Sequence, residues 1–229
     1  MKALLDTPLF GILLSVLAYE AGILIQRKYR KPYLNPLLLA ILFVIGILLL
    51  FHLPKESYDK GGSFILFFLG PATVVLAIPL YRQMELLKKD LVPILTGILV
   101  GSTTSVLSVI FFSKVFRVDL QVAVSMLPKS VTTAIGMEVS KQIGGIVSLS
   151  VAVIVLTGIM GAVLGPALLK LFRIKDPVAQ GVAIGTASHA VGTSKAMELG
   201  ETQGAMSGLS IGLAGLATVI LVPLLMRLL

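Results

Sequence analysis

Long apolar runs, separated by short clusters of charged residues, dominate the pattern of this chain. Five of the runs carry no formal charge, and each approaches or exceeds the roughly 20 residues that an α-helix needs to cross the hydrocarbon core of a membrane. These charge-free runs lie at 34–51, 61–81, 91–113, 142–169 and 202–226. Eight apolar segments can be drawn in all, at 7–26, 34–53, 63–81, 91–113, 119–140, 143–171, 177–199 and 204–228. The pattern predicts an all-α polytopic membrane protein with six to eight transmembrane segments.

The composition supports a membrane location. Of the 229 residues, 56% are hydrophobic and 13% are charged, and the mean hydropathy of +1.01 is too high for a soluble surface. The net charge of +8 lies mostly in loops, where Lys and Arg set topology and meet anionic headgroups, so we expect no nucleic-acid binding. Segment 7–26 has no small-residue cleavage site behind a short apolar core, which predicts a retained helix. We therefore expect a multi-pass protein of a bacterial inner or plasma membrane.

The chain also aligns with itself at an offset of about 115 residues. This offset places 70–73 over 185–188, inside segments three and seven. We predict a single membrane domain, 1–229, built from two repeats at about 1–115 and 116–229. Repeats whose matching segments are interrupted by Gly or Pro point to a transport site near the membrane midplane. Helix breaks are expected at Gly70, Pro128, Gly185 and Gly192.

The topology of the two interrupted segments, 63–81 and 177–199, decides how the repeats are related. If both cross fully, the repeats are parallel; if both are re-entrant, each repeat crosses three times and the repeats are inverted. In the inverted arrangement segment 119–140 crosses, and Lys114, Arg117 and the 170–175 loop join the basic cluster at 27–31 on one side. That side then holds nine Lys or Arg against eight. Because the cytoplasmic side is usually the more basic, we favour the inverted repeat with discontinuous or re-entrant helices.

A lysine lies inside the fifth apolar segment, directly after a proline. Pro128 suits the first turn of a new helix, so we predict that the segment breaks before it and restarts there. Such a helix start, with Lys129 as a cation and Ser130, Thr132 and Thr133 as hydroxyl donors, predicts an anion site. The alternative is that Lys129 snorkels to an interface and Pro128 only kinks the helix. Nine charge-free residues before Lys129 and eight after it leave little reach to either surface, which favours the site.

The seventh segment carries a second polar tract, with small residues on one face. Helical spacing puts Thr186, His189 and Thr193 on one face, with Ser188 adjacent. We predict that these four side chains contact substrate, and that His189 binds a carboxylate when charged and releases it when neutral. The alternative is a structural histidine held by hydrogen bonds.

Pro71 and Thr73 occupy the matching position in the first repeat, and they are either further site residues or a simple prolyl kink. Lys195 and Glu198, three residues apart, are expected to neutralise each other. The chain has no cysteine and its two histidines lack partners at ligand spacing, so we expect no metal site. It also has none of the sequence motifs of hydrolases or ATP-driven pumps, so we expect no enzyme and no cofactor. Any transport is then secondary or facilitated, with proton or sodium coupling left open.

Four tracts of the chain resemble the LrgB/CidB family, and the resemblance covers most of its length. They lie at 128–133, 157–162, 185–193 and 69–73. The resemblance implies an inverted repeat similar to that of sodium/proton antiporters and bile-acid transporters. It also implies a small LrgA/CidA-type membrane partner. We further expect the protein to form a homo-oligomer.

Two functions of different class follow from the resemblance. One is transport of small monocarboxylates of the pyruvate, lactate, glycolate or glycerate class, because a plant relative is the plastid glycolate/glycerate translocator. The other is antiholin-like regulation of murein hydrolase activity and cell lysis. The buried lysine and histidine favour transport of a small anion, from which lysis control could follow. A purely structural subunit of a two-component channel is a third interpretation.

Overall fold

A computed structural model of the protein describes residues 7–29, 34–68, 71, 81 and 84–229, and its regular secondary structure is helical. The chain divides into two compact units, Met1–Val75 and Leu76–Leu229. The first unit contains α1 (Pro8–Tyr29), α2 (Pro36–Leu50) and α3 (Lys55–Phe67). Its helices approach closely where glycine lacks a side chain, since Gly11 of α1 lies against the backbone of Gly61 in α3.

The second unit holds the polar tracts. It consists of α4 (Met84–Lys89), α5 (Leu91–Val115), α6 (Leu120–Met126), α7 (Thr133–Gln142), α8 (Val147–Leu171), α9 (Pro177–Leu199) and α10 (Glu201–Leu225), followed by a 3₁₀ turn, Met226–Leu228. Contacts fix their directions. Gly97 and Gly101 of α5 lie against Val182 and Thr186 of α9, in the same order, so α5 runs parallel to the first part of α9. Gly165 and Gly161 of α8 lie against Ile184 and Ser188 of α9, in reverse order, so α8 runs antiparallel to both.

Four helices of the described chain are long and apolar enough to cross a membrane: Pro8–Tyr29, Leu91–Val115, Val147–Leu171 and Glu201–Leu228. Large apolar side chains cover their outer surfaces; Leu216, for example, is 66% exposed. A surface of this kind suits lipid rather than water. The protein is therefore a multi-pass membrane protein. The charge-free run at 34–51 forms a helix of 15 residues, and most of the run at 61–81 lies outside the described residues or in the 13-residue α3.

The segment 119–140 does not cross. Asp119 caps α6 by accepting hydrogen bonds from the backbone N–H groups of Gln121 and Val122. The chain then reverses between residues 127 and 132, and α7 returns beside α6. Ser150 Oγ of α8 shows the reversal, since it reaches both the Ser125 carbonyl oxygen at 2.6 Å and Ser140 Oγ at 2.7 Å. We call residues 120–142 the first hairpin.

Segment 177–199 is also a hairpin, although its two arms form one nearly continuous helix, α9. His189 has φ 45° and ψ −143°, which is far from helical, and the two arms, 177–188 and 190–199, fold against each other there. Ile184 and Ala196 share one apolar cluster, although a straight helix would separate them by roughly 18 Å. Gln180 and Leu199, from opposite ends of α9, line the same small cavity. We call residues 177–199 the second hairpin.

The two hairpins begin at opposite ends of the helix bundle, because the antiparallel α5 and α8 lead into them. This corrects the loop assignment made from charge. Lys114 and Arg117 follow α5, whereas Lys170, Arg173 and Lys175 follow α8, so the two basic groups lie at opposite ends rather than on one side. The predicted crossing at 119–140 was the error, because a charge count cannot distinguish a full crossing from a re-entrant hairpin of the same length.

A shorter internal repeat emerges from these elements. The helices α5 and α8 each have 25 residues, and each leads into a hairpin of 23 residues. The connecting turns have related sequences, Lys114-Val-Phe-Arg-Val-Asp119 and Lys170-Leu-Phe-Arg-Ile-Lys-Asp176. Arg117 and Arg173 both have positive φ, 51° and 58°, and both aspartates cap the hairpin that follows. The predicted repeat of about 115 residues stays a prediction, since Gly70 and Thr73 lie outside the described residues.

Candidate functional site

A cavity of about 1010 Å³ lies among α5, α8, the second hairpin and the tip of the first hairpin. Its lining begins at Asp90 and Asp176, which precede α5 and α9, and continues inward to Lys129 and Ser188. The tips of two hairpins that enter from opposite ends thus contribute to one cavity. Most of the lining surface is apolar, which makes the polar side chains the determinants of what can bind.

Lys129 supplies the cation of this cavity. Its Nζ donates to Ser105 Oγ at 3.0 Å and to Ser130 Oγ at 3.2 Å. The two serine oxygens lie 2.9 Å apart, so they form a triangle with the ammonium. In the part of the chain that the structure describes, Lys129 has no carboxylate partner. A charge held inside a membrane helix bundle without an ion pair is characteristic of a substrate or ion pathway.

The triangle leaves donors unused. An ammonium has three N–H donors and no acceptor, and two of them reach the serines. Because one serine hydroxyl donates to the other, the hydrogen of the accepting hydroxyl is also free. One ammonium hydrogen and one hydroxyl hydrogen therefore lack a partner among the described residues. Two adjacent free donors beside a positive charge match the two oxygens of a carboxylate.

Lys129 lies deep in the bundle. Ser105 is the 15th of the 25 residues of α5, roughly 21 Å along a helix of roughly 37 Å. The contact with Ser105 therefore places the ammonium near the middle of a membrane-length helix. The interpretation that Lys129 snorkels to an interface is not supported by this position.

The local helix break differs from the sequence prediction. The first helix ends at Met126, but Leu127 keeps helical φ and ψ of −55° and −45°, so Pro128 does not force it out. The chain continues through turns, and the new helix starts at Thr133 with Thr132 extended as its N-cap, not at Pro128. The extended residue that precedes the new helix is thus Thr132, four positions after Pro128. Neither Thr132 nor Thr133 is among the residues described as lining the cavity, while Ser130 is.

His189 is held by structural hydrogen bonds. Its ring Nε2 lies 2.9 Å from the carbonyl oxygen of Ile154 in α8, and a carbonyl only accepts, so Nε2 donates. Its own carbonyl accepts from Thr193 Oγ1 at 2.9 Å, and Thr193 Oγ1 lies 2.7 Å from Ser207 Oγ of α10. His189 and Thr193 are buried and are not among the lining residues. These contacts favour the structural alternative for His189, and its role as a proton partner stays a prediction.

Two other predicted residues of the second hairpin do line the cavity. Ser188 lies against Gly161 of α8, where the absence of a side chain admits it. Thr186 is 5% exposed, and its Oγ1 has no hydrogen-bond partner among the described residues. A buried hydroxyl without a partner costs stability, so this one is available to a ligand.

The remaining predictions have mixed outcomes. The break of the second hairpin falls at His189, between Gly185 and Gly192, both of which lie within the helical arms. Both glycines are instead sites of close packing, Gly185 against the backbone of Ser207 and Gly192 against Ile184. Pro71 is an exposed residue with helical backbone in the first unit. The ion pair of Lys195 with Glu198 is confirmed, at 2.5 Å.

Sequence reasoning missed two groups of residues. The first is Ser105, together with Thr104 and Ser108, which line the cavity from α5. The run of four hydroxyl residues at 102–105 inside a charge-free segment was the signal that could have found it. The second is Ser125, Ser140 and Ser150, which are wholly buried and tie both arms of the first hairpin to α8. Isolated serines in apolar sequence gave no such signal.

These features define a class: a polytopic helical membrane protein with two opposed re-entrant hairpins and an unpaired cation in a deep cavity. A family model described as the LrgB-like family matches residues 15–228. The chain is similar to the antiholin-like protein LrgB of Bacillus cereus strain B4264, with 40% identity over 221 residues that cover 96% of each chain. It is 41% identical to the YxaC protein of Bacillus subtilis strain 168, over 202 residues that cover 88% of each chain. No solved structure matches. This protein belongs to the LrgB-like family.

Proposed function

We propose that this protein moves small monocarboxylates of the pyruvate, lactate, glycolate or glycerate class across the membrane, by secondary or facilitated transport through the 1010 Å³ cavity. The observation behind the proposal is Lys129, whose ammonium sits deep in the bundle with one free donor beside a free serine hydroxyl. A half-buried cation deep in a membrane helix bundle that is not used for an internal ion pair is best explained by an external anion.

Charge and size limit the anion. Lys129 is the one cation among the residues described as lining the cavity, while Asp90 and Asp176 line its far end. A single positive charge balances one carboxylate, and a second carboxylate would meet either aliphatic side chains or these aspartates. A monovalent anion is therefore favoured over a dicarboxylate.

The free hydroxyl of Thr186 supports a second polar group on the substrate. The methyl group of Thr186 lies 2.9 Å from the position that a Cβ on Gly101 would take, one helical turn from Ser105. Because Thr186 lies beside Gly101 and Lys129 beside Ser105, the two side chains are separated by roughly 6 Å along the axis of α5. A hydroxyl or oxo group next to a carboxylate could bond to Thr186 while the carboxylate bonds to Lys129.

An antiholin-like role in the control of murein hydrolase activity and lysis is the second candidate. The names of relatives at 40% identity over nearly the full chain, antiholin-like proteins, support it better than they support transport. We propose that the two are linked, with lysis control as a consequence of carboxylate flux. A small LrgA/CidA-type membrane protein as partner, and a homo-oligomer, are part of this proposal.

Uptake into proteoliposomes tests the proposal. The purified protein, with and without the small partner, is reconstituted and supplied with labelled pyruvate, lactate or glycolate, and with succinate as a dicarboxylate. Lys129→Met removes the charge at similar volume, and Lys141→Met does the same on the exposed side of α7 in the same hairpin. We expect saturable monocarboxylate uptake that Lys129→Met abolishes and Lys141→Met leaves intact.

Two outcomes would contradict transport. Uptake that Lys129→Met leaves unchanged would remove the proposed site. Absence of uptake for every substrate, combined with altered autolysis in cells that lack the protein, would leave the regulator without transport as the function.

A further inference from the structure

A second cavity lies at the base of the second hairpin, away from Lys129. Its volume is about 270 Å³, and three cationic residues, Lys170, Arg173 and Lys175, contribute to its lining. Gln180 and Leu199, from the two arms of the hairpin, complete it together with the end of α8. The pocket therefore joins a membrane-length helix to both arms of a re-entrant element.

The side chains of these three cations make no polar contact with the part of the chain that the structure describes. Asp176, the nearest acid in sequence, accepts a hydrogen bond from the backbone N–H of Ala179 at 2.8 Å, and Glu198 pairs with Lys195. No ion pair involves Lys170, Arg173 or Lys175 among the described residues. The pocket therefore presents three exposed cations, offset only by the nearby Asp176, and this charge favours an external anion.

The pocket is not explained by capping of α8. Cations often lie at the end of a helix because its last carbonyls are unpaired. Here the backbone caps them, since the N–H groups of Arg173 and Ile174 donate to the carbonyls of Lys170 and Leu169 at 3.1 and 2.9 Å. Gln180 Nε2 holds the carbonyl of Ile174 at 2.8 Å, which fixes the loop that presents the cations.

The related turn after α5 makes the comparison sharper. It has Lys114 and Arg117 at the positions of Lys170 and Arg173, with the same positive φ at the arginine. Asp119 follows Val118 directly, so this turn has no counterpart of Lys175. If cations at helix ends only set topology, the two turns should behave alike towards lipids.

We propose that the pocket at 170–180 binds an anionic, phosphate-bearing group at the membrane surface. Its position at the end of the membrane-length α8 places it at headgroup level, where basic pockets between helices bind anionic lipids. A bound phosphate would contact both α8 and the second hairpin and so stabilise the base of the hairpin. The group comes either from a lipid headgroup or from a soluble phosphate, and both present the same charge to the three cations.

The absence of tryptophan from the chain allows a clean test. Phe172 and Phe116 occupy equivalent positions in the two turns and are 70% and 71% exposed. Phe172 lines the larger cavity rather than the pocket, but it directly precedes Arg173, so a tryptophan there reports the lipid beside the pocket. Two single-tryptophan proteins, Phe172→Trp as the pocket reporter and Phe116→Trp as the control reporter, are reconstituted in phosphatidylcholine vesicles that contain a minor fraction of phosphatidylglycerol. Bromine on the phosphatidylglycerol or on the phosphatidylcholine quenches a nearby tryptophan and so reports which lipid adjoins each turn.

We expect phosphatidylglycerol to quench the pocket reporter beyond its bulk fraction and to quench the control reporter in proportion to it. Adding Lys170→Gln and Arg173→Gln to the pocket reporter should weaken the apparent affinity roughly 10- to 30-fold. The same pair of changes at Lys114 and Arg117, in the control reporter, should have little effect. Loss of the preference on addition of inorganic phosphate would assign the pocket to soluble phosphate, and its persistence would assign it to the lipid.

Two results would overturn the proposal. One is an equal preference for phosphatidylglycerol at both turns, which general surface electrostatics explains. The other is a preference at the pocket reporter that survives removal of the two cations in a variant that stays monodisperse after purification. Binding of inorganic phosphate to the unmodified protein, measured by calorimetry, keeps the test valid if the double variant fails to fold.

Discussion

The two hairpins have equal lengths and similar capped entries, but they are anchored to α8 in different ways. The first is tied along its arms by the serine cluster at Ser125, Ser140 and Ser150, and its tip makes no described hydrogen bond to α8. The second is tied at its tip, where His189 donates to the Ile154 carbonyl. As a result, Lys129 keeps one ammonium hydrogen free beside a free serine hydroxyl, whereas the Nε2 hydrogen of His189 is used in the bond to Ile154. Two hairpins of the same length thus differ at their tips: the second tip is an anchor, and the first leaves donors available to a ligand.

The largest expected effect is at the anchored tip. His189→Ala removes a buried ring and leaves the second hairpin without its bond to Ile154, so we expect the free energy of unfolding to fall by about 3 kcal/mol. Thermal unfolding in detergent measures it. The other histidine, His52, is a matched control, because it has a similar φ of 51° but is exposed. If His52→Ala lowers the free energy of unfolding by the same amount, the effect comes from the positive φ of the backbone and not from the lost bond to Ile154.

The anchor of the first hairpin should come next. Ser150→Ala leaves the buried Ser125 carbonyl and Ser140 hydroxyl without this partner, which costs about 2 kcal/mol. Ser148, exposed on the same helix, is the control, and Ser148→Ala should change stability by less than about 0.5 kcal/mol. If Ser150→Ala also changes stability by less than about 0.5 kcal/mol, the serine contacts along the arms do not anchor the first hairpin to α8.

A smaller effect separates close packing from simple helix propensity. Gly161→Ala would place a methyl group on Ser188, so the tip of the second hairpin must shift, at a cost of about 1 to 2 kcal/mol. Gly165→Ala meets Ile184 Cγ1 at an ordinary 3.7 Å and gains helix propensity, so it should be neutral or stabilising. The comparison is of unfolding temperatures. Similar losses at both positions would mean that the tip does not depend on Gly161.

Much of the architecture could be predicted from sequence, because membrane-length apolar runs and a lysine inside one of them are local signals. The run 91–113 became a helix of 25 residues, and Lys129 became the cation of the cavity. The topology of 119–140 could not be predicted, since a hairpin and a crossing have the same length and hydropathy. Ser105 was missed because its role depends on a neighbour 24 residues away. The strained φ of His189 likewise has no counterpart in its sequence, where glycine would be expected.

The contrast between the tips rests on Lys129 serving a ligand rather than the fold. The most direct test measures monocarboxylate uptake and thermal unfolding on the same preparation of Lys129→Met. Because the change removes a half-buried charge that has no ion-pair partner among the described residues, we expect saturable uptake to be lost while the unfolding temperature stays the same or rises. If Lys129→Met still transports, Lys129 is not the anion site. The assignment is also contradicted if the variant loses both uptake and stability, because His189→Ala is expected to lose stability for a structural reason.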